Sequence, residues 1–505
     1  MKLNEAGLKD RAQWEQKGYS LPKYDRNMIK TETINNPKWI HFGAGNIFRA
    51  FQANVVQNML NNKDTASGLI VAEGYDYEII EKMNRPHDDL SILVTLKANG
   101  TVEKTVVGSI VESLMLDEEN EEEIERLREI FRAPSLQMVS FTITEKGYKT
   151  ESYMSKVTRL LYERFLAGKL PVAMVSMDNC SHNGDKLFEA VFGFAKKWEE
   201  EGICQKGFAN YVSDKTCVSF PLSMIDKITP RPDANIEKIL LKDGIEDLDQ
   251  VVTSKNTYVA PFVNAEETEY LVIEDVFPNG REPYEKGGII FTDRETVDKT
   301  EKMKVCTCLN PLHTALAIFG CLLGYKSIHE EMEDEVLNRL VHKLGYVEGM
   351  PVVVDPKVLS PKDFIKAVLE LRLPNPFMPD TPQRIACDTS QKLPIRFGET
   401  IKAYRASSEL STDSLVLVPL VLAGWCRYLK AIDDNGDSFE LSPDPMLDEV
   451  TKMDVKDILK RKEIFAVDLY EDGLAAKVLE MYEEMMQGPG SVRKVLKKYV
   501  DSVLA

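Results

Sequence analysis

Three side chains that can move a proton or polarise a carbonyl lie within a stretch of ten residues, namely Lys304, Asn310 and His313. Hydride transfer to a carbonyl carbon needs an acid that protonates the oxygen and donors aimed at that oxygen. A lysine can be this acid if burial or neighbouring groups lower its pKa from about 10.4 toward about 7 to 8. The segment therefore predicts a proton-transfer site inside a cleft. Taken alone, a solvent-facing Lys304 and a core His313 stay open as alternatives.

A glycine turn separates a predicted strand from a predicted helix. The apolar Trp39–Phe42 runs into Gly43 and Gly45, and apolar residues then recur at helical spacing. Such glycines let the backbone approach a pyrophosphate, which then lies at the helix amino terminus. Phe48 replaces the usual third glycine and weakens the match. The pattern predicts a dinucleotide-binding turn that includes Asn46, with an ordinary strand-to-helix turn as the alternative.

An acidic residue follows the next predicted strand. Glu73 lies 28 positions after Gly45, and Asp76 is a second candidate. A carboxylate in this place binds the adenosine ribose hydroxyls and repels a 2′-phosphate. Either residue therefore favours NAD over NADP, and a solvated turn carboxylate is the alternative interpretation for each.

The order of predicted elements indicates an α/β protein. Strands alternate with helices through the first part of the chain, which is typical of a mostly parallel, Rossmann-type sheet. Beyond about residue 293 the sequence shows successive helical segments. We expect a dinucleotide-binding domain over residues 1–293 and a mostly α-helical substrate domain over residues 294–505.

The composition limits the partners that the chain can take. It has 505 residues and a formal net charge of −18. This charge repels phosphate backbones and anionic lipid surfaces, so nucleic acid and membrane partners are not expected. We expect a small-molecule substrate and a monomer or small homo-oligomer. An anionic substrate would require a local group of cationic side chains.

The cysteines indicate a reduced, cytoplasmic protein. The eight are scattered and none forms a CxxC pair. Cys306, Cys308 and His313 could suggest a metal site, but zinc frameworks use four ligands in paired spacing, so no metal is expected. The amino terminus lacks the apolar core of a signal peptide. The longest apolar stretch, residues 415–425, is shorter than a membrane span and predicts a buried helix.

The sequence resembles the polyol-specific long-chain dehydrogenase/reductase family, the mannitol dehydrogenase group, over nearly the whole chain. The resemblance rests on seven blocks in the family's order, at residues 21–26, 41–50, 142–148, 178–184, 224–230, 273–281 and 304–313. Among them are His-Phe-Gly-x-Gly from position 41 and Asp-Asn from position 178. The resemblance implies no metal and a substrate held between a Rossmann-type domain and a helical domain, and the carboxylates at Glu73 and Asp76 lead us to expect NAD as cofactor.

The resemblance also assigns catalytic roles. Lys304 resembles the catalytic acid/base, and Asn179 and Asn310 resemble the amides that polarise the reacting oxygen. His313 resembles a substrate-orienting donor. Glu301, three positions before Lys304, resembles a carboxylate near the proton path.

Binding residues are carried over in the same way. Arg384 and Lys392 resemble substrate-binding cations, and Arg396 lies nearby. Asp226 falls in a family block and could line the cofactor cleft, although a structural turn carboxylate is an equal alternative. The residues assigned to the cofactor site are Gly43, Gly45, Asn46, Phe48, Arg49, Glu73, Asp76 and Asp226.

The chain departs from the family pattern at the catalytic segment. The family commonly has four residues between the lysine and the asparagine, whereas five separate Lys304 from Asn310. A bulge or an altered helix start must absorb the extra residue, or Lys302 reaches the site instead. The spacing to Glu301 favours Lys304. A second departure, Lys227 in place of the family's arginine, keeps the charge but loses a planar fork.

The block at residues 178–184 is similar to that of the uronate-reducing members of the family. We therefore expect interconversion of D-mannonate and D-fructuronate in hexuronate catabolism, with reduction by NADH. A mannitol-type polyol 2-dehydrogenase is the second hypothesis and tagaturonate reduction the third. A non-catalytic NAD-binding sensor is the hypothesis from another class, and retention of the full catalytic set speaks against it.

Overall fold

Six parallel strands form the main sheet of the computed structural model, which describes residues 1–504. The strands in the described residues are β1 (Tyr19–Ser20), β2 (Trp39–Phe42), β3 (Leu69–Glu73), β4 (Ser91–Leu96), β5 (Val102–Val107), β6 (Ile110–Met115), β7 (Met138–Phe141), β8 (Val172–Ser176), β9 (Val218–Ser219), β10 (Ser223–Asp226), β11 (Val251–Val252), β12 (Tyr258–Val259), β13 (Phe262–Glu266), β14 (Tyr270–Glu274) and β15 (Ile290–Thr292). The main sheet has the order β6-β3-β2-β7-β8-β9, with parallel neighbours throughout. Counted within the sheet, this is the order 3-2-1-4-5-6 of a Rossmann-type fold.

The central strands of this sheet are buried on both faces. Trp39 and Val71 belong to one hydrophobic cluster, whereas Ile40 and Ile70, their neighbours along the same strands, belong to the other. Helices cover parallel sheets on both sides, so their strands are apolar at successive positions and do not alternate. The uninterrupted apolar runs in the sequence follow from this double burial.

Smaller sheets complete the strand-containing part. One has the order β1-β5-β4-β13, another the order β10-β14-β15, and β11 pairs with β12. Helices in this part are α1 (Arg11–Gln16), α2 (Arg26–Asn35), α3 (Ala53–Asn62), α4 (Glu121–Arg132), α5 (Thr144–Gly147), α6 (Glu151–Leu166), α7 (Asn183–Glu200), α8 (Phe208–Ser213) and α9 (Ala234–Asp243).

Beyond β15 the described residues are mainly helical. The helices are α10 (Arg294–Met303), α11 (Asn310–Leu323), α12 (Ile328–Glu333), α13 (Glu335–Lys343), α14 (Pro361–Ala367), α15 (Pro382–Ile385), α16 (Thr389–Leu393), α17 (Glu399–Ala406), α18 (Leu417–Tyr428), α19 (Leu447–Val450), α20 (Val455–Ile458), α21 (Lys462–Phe465), α22 (Ala475–Met485) and α23 (Ser491–Ser502). The predicted fold class, a Rossmann-type sheet followed by a mostly helical region, is confirmed.

The chain divides into two units. The first comprises Met1–Lys97 and Thr101–Asp298 and contains all the strands; the second comprises Ala98–Gly100 and the chain from Lys299 onward. The predicted boundary after residue 293 falls at the first residue of α10.

Several helices contain π-helical turns, in which one extra residue widens the helix. They are Phe48–Gln52, Ile80–Asn84, Lys304–Cys308, Leu344–Gly349, Val368–Arg372 and Pro394–Gly398. Such turns are rare and occur frequently at functional sites. Three of the six contain Lys304, Arg372 or Arg396.

One continuous helix, of 30 residues from Arg294 to Leu323, is long and apolar enough by length and composition to cross a membrane. Its most apolar window is 78% buried within the protein, as in the core helix of a folded domain. The apolar stretch at residues 415–425 forms most of α18, whose residues are all buried, as the sequence predicts.

Candidate active site

The glycine turn after β2 has the backbone that a phosphate-binding loop needs. Gly43 has φ of +110°, and a Cβ there would lie 2.4 Å from the carbonyl oxygen of Thr142. Only glycine fits this position without strain. A Cβ at Gly45 would meet nothing within 4 Å, so open space borders the turn.

Phe48 takes the place of the usual third glycine by packing inward. Its ring is fully buried and stacks on the imidazole of His41, with the ring centroids 4.2 Å apart and the planes at 6°. The turn Phe48–Gln52 is π-helical. The assignment of Phe48 to the cofactor site stays a prediction, and its buried side chain limits any such contact to its backbone.

His41 is held in the neutral form beneath the turn. Its Nδ1 lies 2.6 Å from Oγ of Ser140 and its Nε2 lies 2.8 Å from Oγ1 of Thr142. Complete burial lowers the pKa of His41 to about 3. The ring therefore links β2 to β7 and the residue after it without carrying a charge at neutral pH.

This pKa predicts a contribution to acid sensitivity. The unfolded chain takes up the proton of His41 near pH 6.5, whereas the folded protein takes it up near pH 3, so stability falls as the pH drops through this window. At pH 5 the loss from this residue is about 2 kcal/mol relative to pH 7. Urea unfolding of His41→Asn between pH 8 and pH 5 should show a correspondingly flatter pH dependence than the wild type.

The exposed His182 supplies the matched control, since 59% of its side chain is accessible. His182→Asn should leave the pH dependence of unfolding unchanged. An unaltered slope in His41→Asn would contradict the assignment of this proton uptake to His41.

Asn46 and Arg49 brace the helix that follows the turn. Oδ1 of Asn46 accepts a hydrogen bond from Nη2 of Arg49 at 2.8 Å, and Nη1 of Arg49 donates to the carbonyl of Ala260 at 2.8 Å. Burial lowers the pKa of Arg49 to about 10, so it stays charged at neutral pH. The two side chains fix the helix amino terminus, where unpaired N–H groups favour an anion.

Glu73 closes the end of β3 against the glycine turn. One carboxylate oxygen accepts from the N–H of Ala44 at 2.8 Å, and the other accepts from the N–H groups of Tyr75 at 2.9 Å and Asp76 at 3.2 Å. Burial raises the pKa of Glu73, and the three donors act in the opposite direction. The ribose-binding role stays a prediction, in which a hydroxyl would share oxygens that already accept backbone hydrogen bonds.

Asp76 and Tyr153 add buried polar atoms beside Glu73. Oδ2 of Asp76 accepts from the hydroxyl of Thr253 at 2.6 Å, whereas Oδ1 has no hydrogen-bond partner among the described residues. The hydroxyl of Tyr153 is also buried without one, and a Cβ at Gly74 would lie 2.4 Å from its ring. Tyr153 carries no local motif, so the sequence gives no sign of its position.

Asn179 lies on an exposed loop just past the carboxyl end of β8. The preceding Asp178 holds this loop, since its carboxylate accepts from the N–H groups of Ile143 at 3.0 Å and Thr144 at 2.8 Å and from the hydroxyl of Tyr148. Ligands of such sheets bind beyond the carboxyl ends of the strands. Asp226, also assigned to the cofactor site, is buried at the end of β10 opposite Tyr270 of β14.

The extra residue of the catalytic segment is absorbed by the π-helical turn Lys304–Cys308. The N–H of Leu309 donates to the carbonyl of Lys304, five residues back, at 3.1 Å. Of the alternatives that the sequence leaves open, the structure has a bulge at this position. Lys304 is 3% exposed, whereas Lys302 is on the surface, so burial distinguishes the two lysines in favour of Lys304.

Asn310 and His313 lie in the first turn of helix α11, and each has a buried polar side-chain atom. Oδ1 of Asn310 and Nε2 of His313 are buried and lack a hydrogen-bond partner within the described chain. Nε2 of His313 lies 3.4 Å from Oδ2 of Asp380. Burial and the charge of Arg396 lower the pKa of His313 to about 3, so its ring is neutral and one nitrogen can donate. Glu301 is half-buried one turn before Lys304.

Four cations contribute to the lowered pKa of His313. Arg396, Arg372, Arg384 and Lys392 all act on it electrostatically. The resemblance predicts Arg384 and Lys392 as substrate-binding cations, with Arg396 beside them in the sequence. Arg372 was missed, because it belongs to no motif and is buried at the end of the π-helical turn Val368–Arg372.

No group of three or more His, Cys, Asp or Glu residues that could hold a metal ion occurs within residues 1–504. The arrangement in the second unit instead combines a buried amine, an amide, a neutral imidazole and nearby guanidinium groups. These are the groups that protonate an oxygen, polarise it and bind an anionic substrate.

Comparison with known proteins identifies the family. The mannitol dehydrogenase Rossmann domain matches residues 37–285, and the mannitol dehydrogenase C-terminal domain matches residues 296–486. A D-mannonate oxidoreductase of Thermotoga maritima is 49% identical, with 99% of each chain covered. A mannitol 2-dehydrogenase of Emericella nidulans is 27% identical, with 95% of each chain covered.

Solved structures agree with this result. The Pseudomonas fluorescens mannitol 2-dehydrogenase in ternary complex with NAD and D-mannitol has a TM-score of 0.70 at 26% identity, covering 100% of both chains. A substrate-free D-sorbitol dehydrogenase shares the fold, with a TM-score of 0.80 at 24% identity over 98% of this chain and 100% of that one. The chain belongs to the mannitol dehydrogenase family and is an oxidoreductase of sugar alcohols or sugar acids.

Proposed function

We propose that this protein is an NAD-dependent, metal-independent oxidoreductase that interconverts D-mannonate and D-fructuronate. The observation that carries the proposal is the 49% identity, over 99% of both chains, to a protein named D-mannonate oxidoreductase. The cations around His313 support it, because D-mannonate and D-fructuronate carry a carboxylate that a polyol lacks.

The first unit has the features that a dinucleotide would require. The glycine turn admits close backbone approach, the following helix presents its amino terminus, and Oδ1 of Asp76 is a buried acceptor without a partner in the described chain. Gly43, Gly45, Asn46 and Glu73 would hold the cofactor, and a carboxylate at the end of β3 disfavours a 2′-phosphate. When bound, NAD accepts or delivers the hydride.

The chain's own residues supply the proton and the polarisation. Lys304 gives a proton to the ketone oxygen during reduction and removes it during oxidation. The amides of Asn179 and Asn310 donate to that oxygen, and His313 in its neutral form orients the substrate. Glu301, one turn from Lys304, exchanges the proton with solvent.

The second candidate function is oxidation of mannitol to fructose. It is favoured by the relatives named mannitol 2-dehydrogenase, which are 26–28% identical over most of the chain. We rank it second because these relatives are much more distant. Tagaturonate reduction comes third, and the non-catalytic sensor last.

We further propose a cytoplasmic protein, a monomer or small homo-oligomer, with no nucleic acid or membrane partner. This proposal is supported by the net charge of −18 and by eight cysteines that form no disulfide within residues 1–504.

Oxidation of NADH by the purified protein, followed in the presence of fructuronate, tagaturonate or fructose, tests the function. We expect kcat/KM for fructuronate to exceed that for fructose by at least about 100-fold, since a site built for a charged group discriminates strongly against a substrate that lacks it. Tagaturonate carries the same charge, so its kcat/KM tests the third hypothesis separately. NADPH should be the poorer reductant.

Turnover of fructose with fructuronate ignored would favour the polyol dehydrogenase. Binding of NADH without turnover of any of the three ketoses would favour the sensor.

A further inference from the structure

The four cations near His313 differ in the hydrogen bonds and ion pairs that each forms within the protein. Arg384 is 60% exposed and forms an ion pair with Asp380. Nζ of Lys392 donates to the carbonyl groups of Ile385, at 3.2 Å, and Cys387. Arg372 also has a partner within the protein. Two of the four are therefore committed to bracing the segment around α15.

Arg396 differs from the other three. Nη1 donates to the hydroxyl of Thr314, the residue after His313. Within residues 1–504 this is the single hydrogen bond that the guanidinium of Arg396 forms. No carboxylate of the described chain lies within ion-pair distance of its guanidinium, although the side chain is largely buried. Removing a charged group from water without a partner is costly unless a ligand of opposite charge occupies the position.

The backbone holds Arg396 in a defined place. It lies in the π-helical turn Pro394–Gly398, which begins with a proline. A Cβ at Gly398 would lie 2.2 Å from the carbonyl oxygen of Phe465, so this turn packs directly on the neighbouring backbone. A fixed guanidinium presents two parallel N–H donors, the geometry that matches a carboxylate.

We propose that Arg396 binds the carboxylate of the sugar acid and thereby selects acids over polyols. This inference rests on the proposed function, and it names the residue within the cationic group that makes the selection. Nε2 of His313 and Oδ1 of Asn310, both without hydrogen-bond partners in the described chain, are nearby polar atoms that sugar hydroxyls can engage. In this arrangement Arg384 and Lys392 shape the site, and Arg396 recognises the charge.

Steady-state kinetics and calorimetry of Arg396→Gln test the inference. We expect KM for fructuronate to rise on the order of 100-fold with a much smaller change in kcat, because the lost contact serves binding in both ground and transition states. With saturating NAD, the dissociation constant of D-mannonate should rise by a similar factor, while that of D-mannitol stays within threefold. Arg396→Lys, which keeps the charge but not the fork, should recover part of the affinity.

Arg461→Gln is the matched control, since it removes an arginine of the same unit that pairs with Glu449 and Glu463 at the surface. It should change none of these constants. A fructuronate KM within threefold of wild type in Arg396→Gln would overturn the inference, as would equal weakening of D-mannonate and D-mannitol. Failure of the wild type to reduce fructuronate would instead overturn the proposed function, so the two failures are distinguishable.

Discussion

Lys304→Ala is expected to lower kcat for fructuronate reduction by about 10³-fold, with NADH binding unchanged. A positioned general acid contributes about 10² to 10⁴ to the rate, and no other amine of the segment is buried in its place. Stopped-flow measurement of single-turnover NADH oxidation separates this effect from product release. Quenching of protein fluorescence by NADH reports cofactor binding independently.

Lys302→Ala is the control for this experiment, because the two lysines lie two positions apart and differ in exposure. We expect its kcat to stay within twofold of wild type. If Lys302→Ala abolished turnover and Lys304→Ala did not, the catalytic assignment would have to be exchanged between them. Lys304→Arg should be as inactive as the alanine variant, since a guanidinium does not give up its proton near neutral pH.

The segment from Lys304 to Asn310 shows what residue spacing can predict and what it cannot. Counting residues reveals that one too many separates Lys304 from Asn310, but it does not show where the extra residue goes. The spacing to Glu301 favours Lys304, but a register shift toward Lys302 stays compatible with the sequence. The choice depends on the hydrogen bond from Leu309 to Lys304 and on the burial of neighbouring side chains, which are tertiary properties.

The glycine turn after β2 was predictable for a different reason. A glycine at positive φ next to a strand is a local requirement, and the sequence states it directly at Gly43. What the sequence could not state is how Phe48 is tolerated, because that depends on a stacking partner in β2. The contacts of Glu73 were equally hidden from the sequence. Three backbone N–H groups donate to its carboxylate, and they do so because the fold places β3 next to the glycine turn.

The residues that the sequence missed share one property. Arg372 and Tyr153 act through neighbours distant in sequence or through burial, and neither belongs to a motif whose spacing has chemical meaning. Pattern-based prediction finds residues that act locally, such as turns and caps. Electrostatic groups assembled from several helices, such as the one around His313, require the fold.

Arg164→Met is expected to lower the free energy of unfolding by about 4 kcal/mol. Arg164 is fully buried in α6, and its side-chain N–H groups donate to five backbone carbonyls. The acceptors, at distances of 2.7 to 3.0 Å, are those of Phe131, Ala133, Leu136, Leu170 and Pro171. Methionine fills much of the volume but donates nothing, so these carbonyls lose their charge-assisted partner in the interior.

The same residue connects the fold to the site. The five carbonyls belong to the end of α4 and to the segments that lead into β7 and β8, and the glycine turn packs against Thr142 at the end of β7. Loss of Arg164 should therefore lower both the urea midpoint and the fraction of protein that binds NADH at 37 °C.

Arg128→Met, on the exposed face of α4, should change stability by less than about 0.5 kcal/mol. Arg164→Lys should recover only part of the loss, because an ammonium has three donors for five acceptors. Wild-type stability in Arg164→Met would show that these carbonyls find other partners, and that the strand ends hold their positions without the guanidinium.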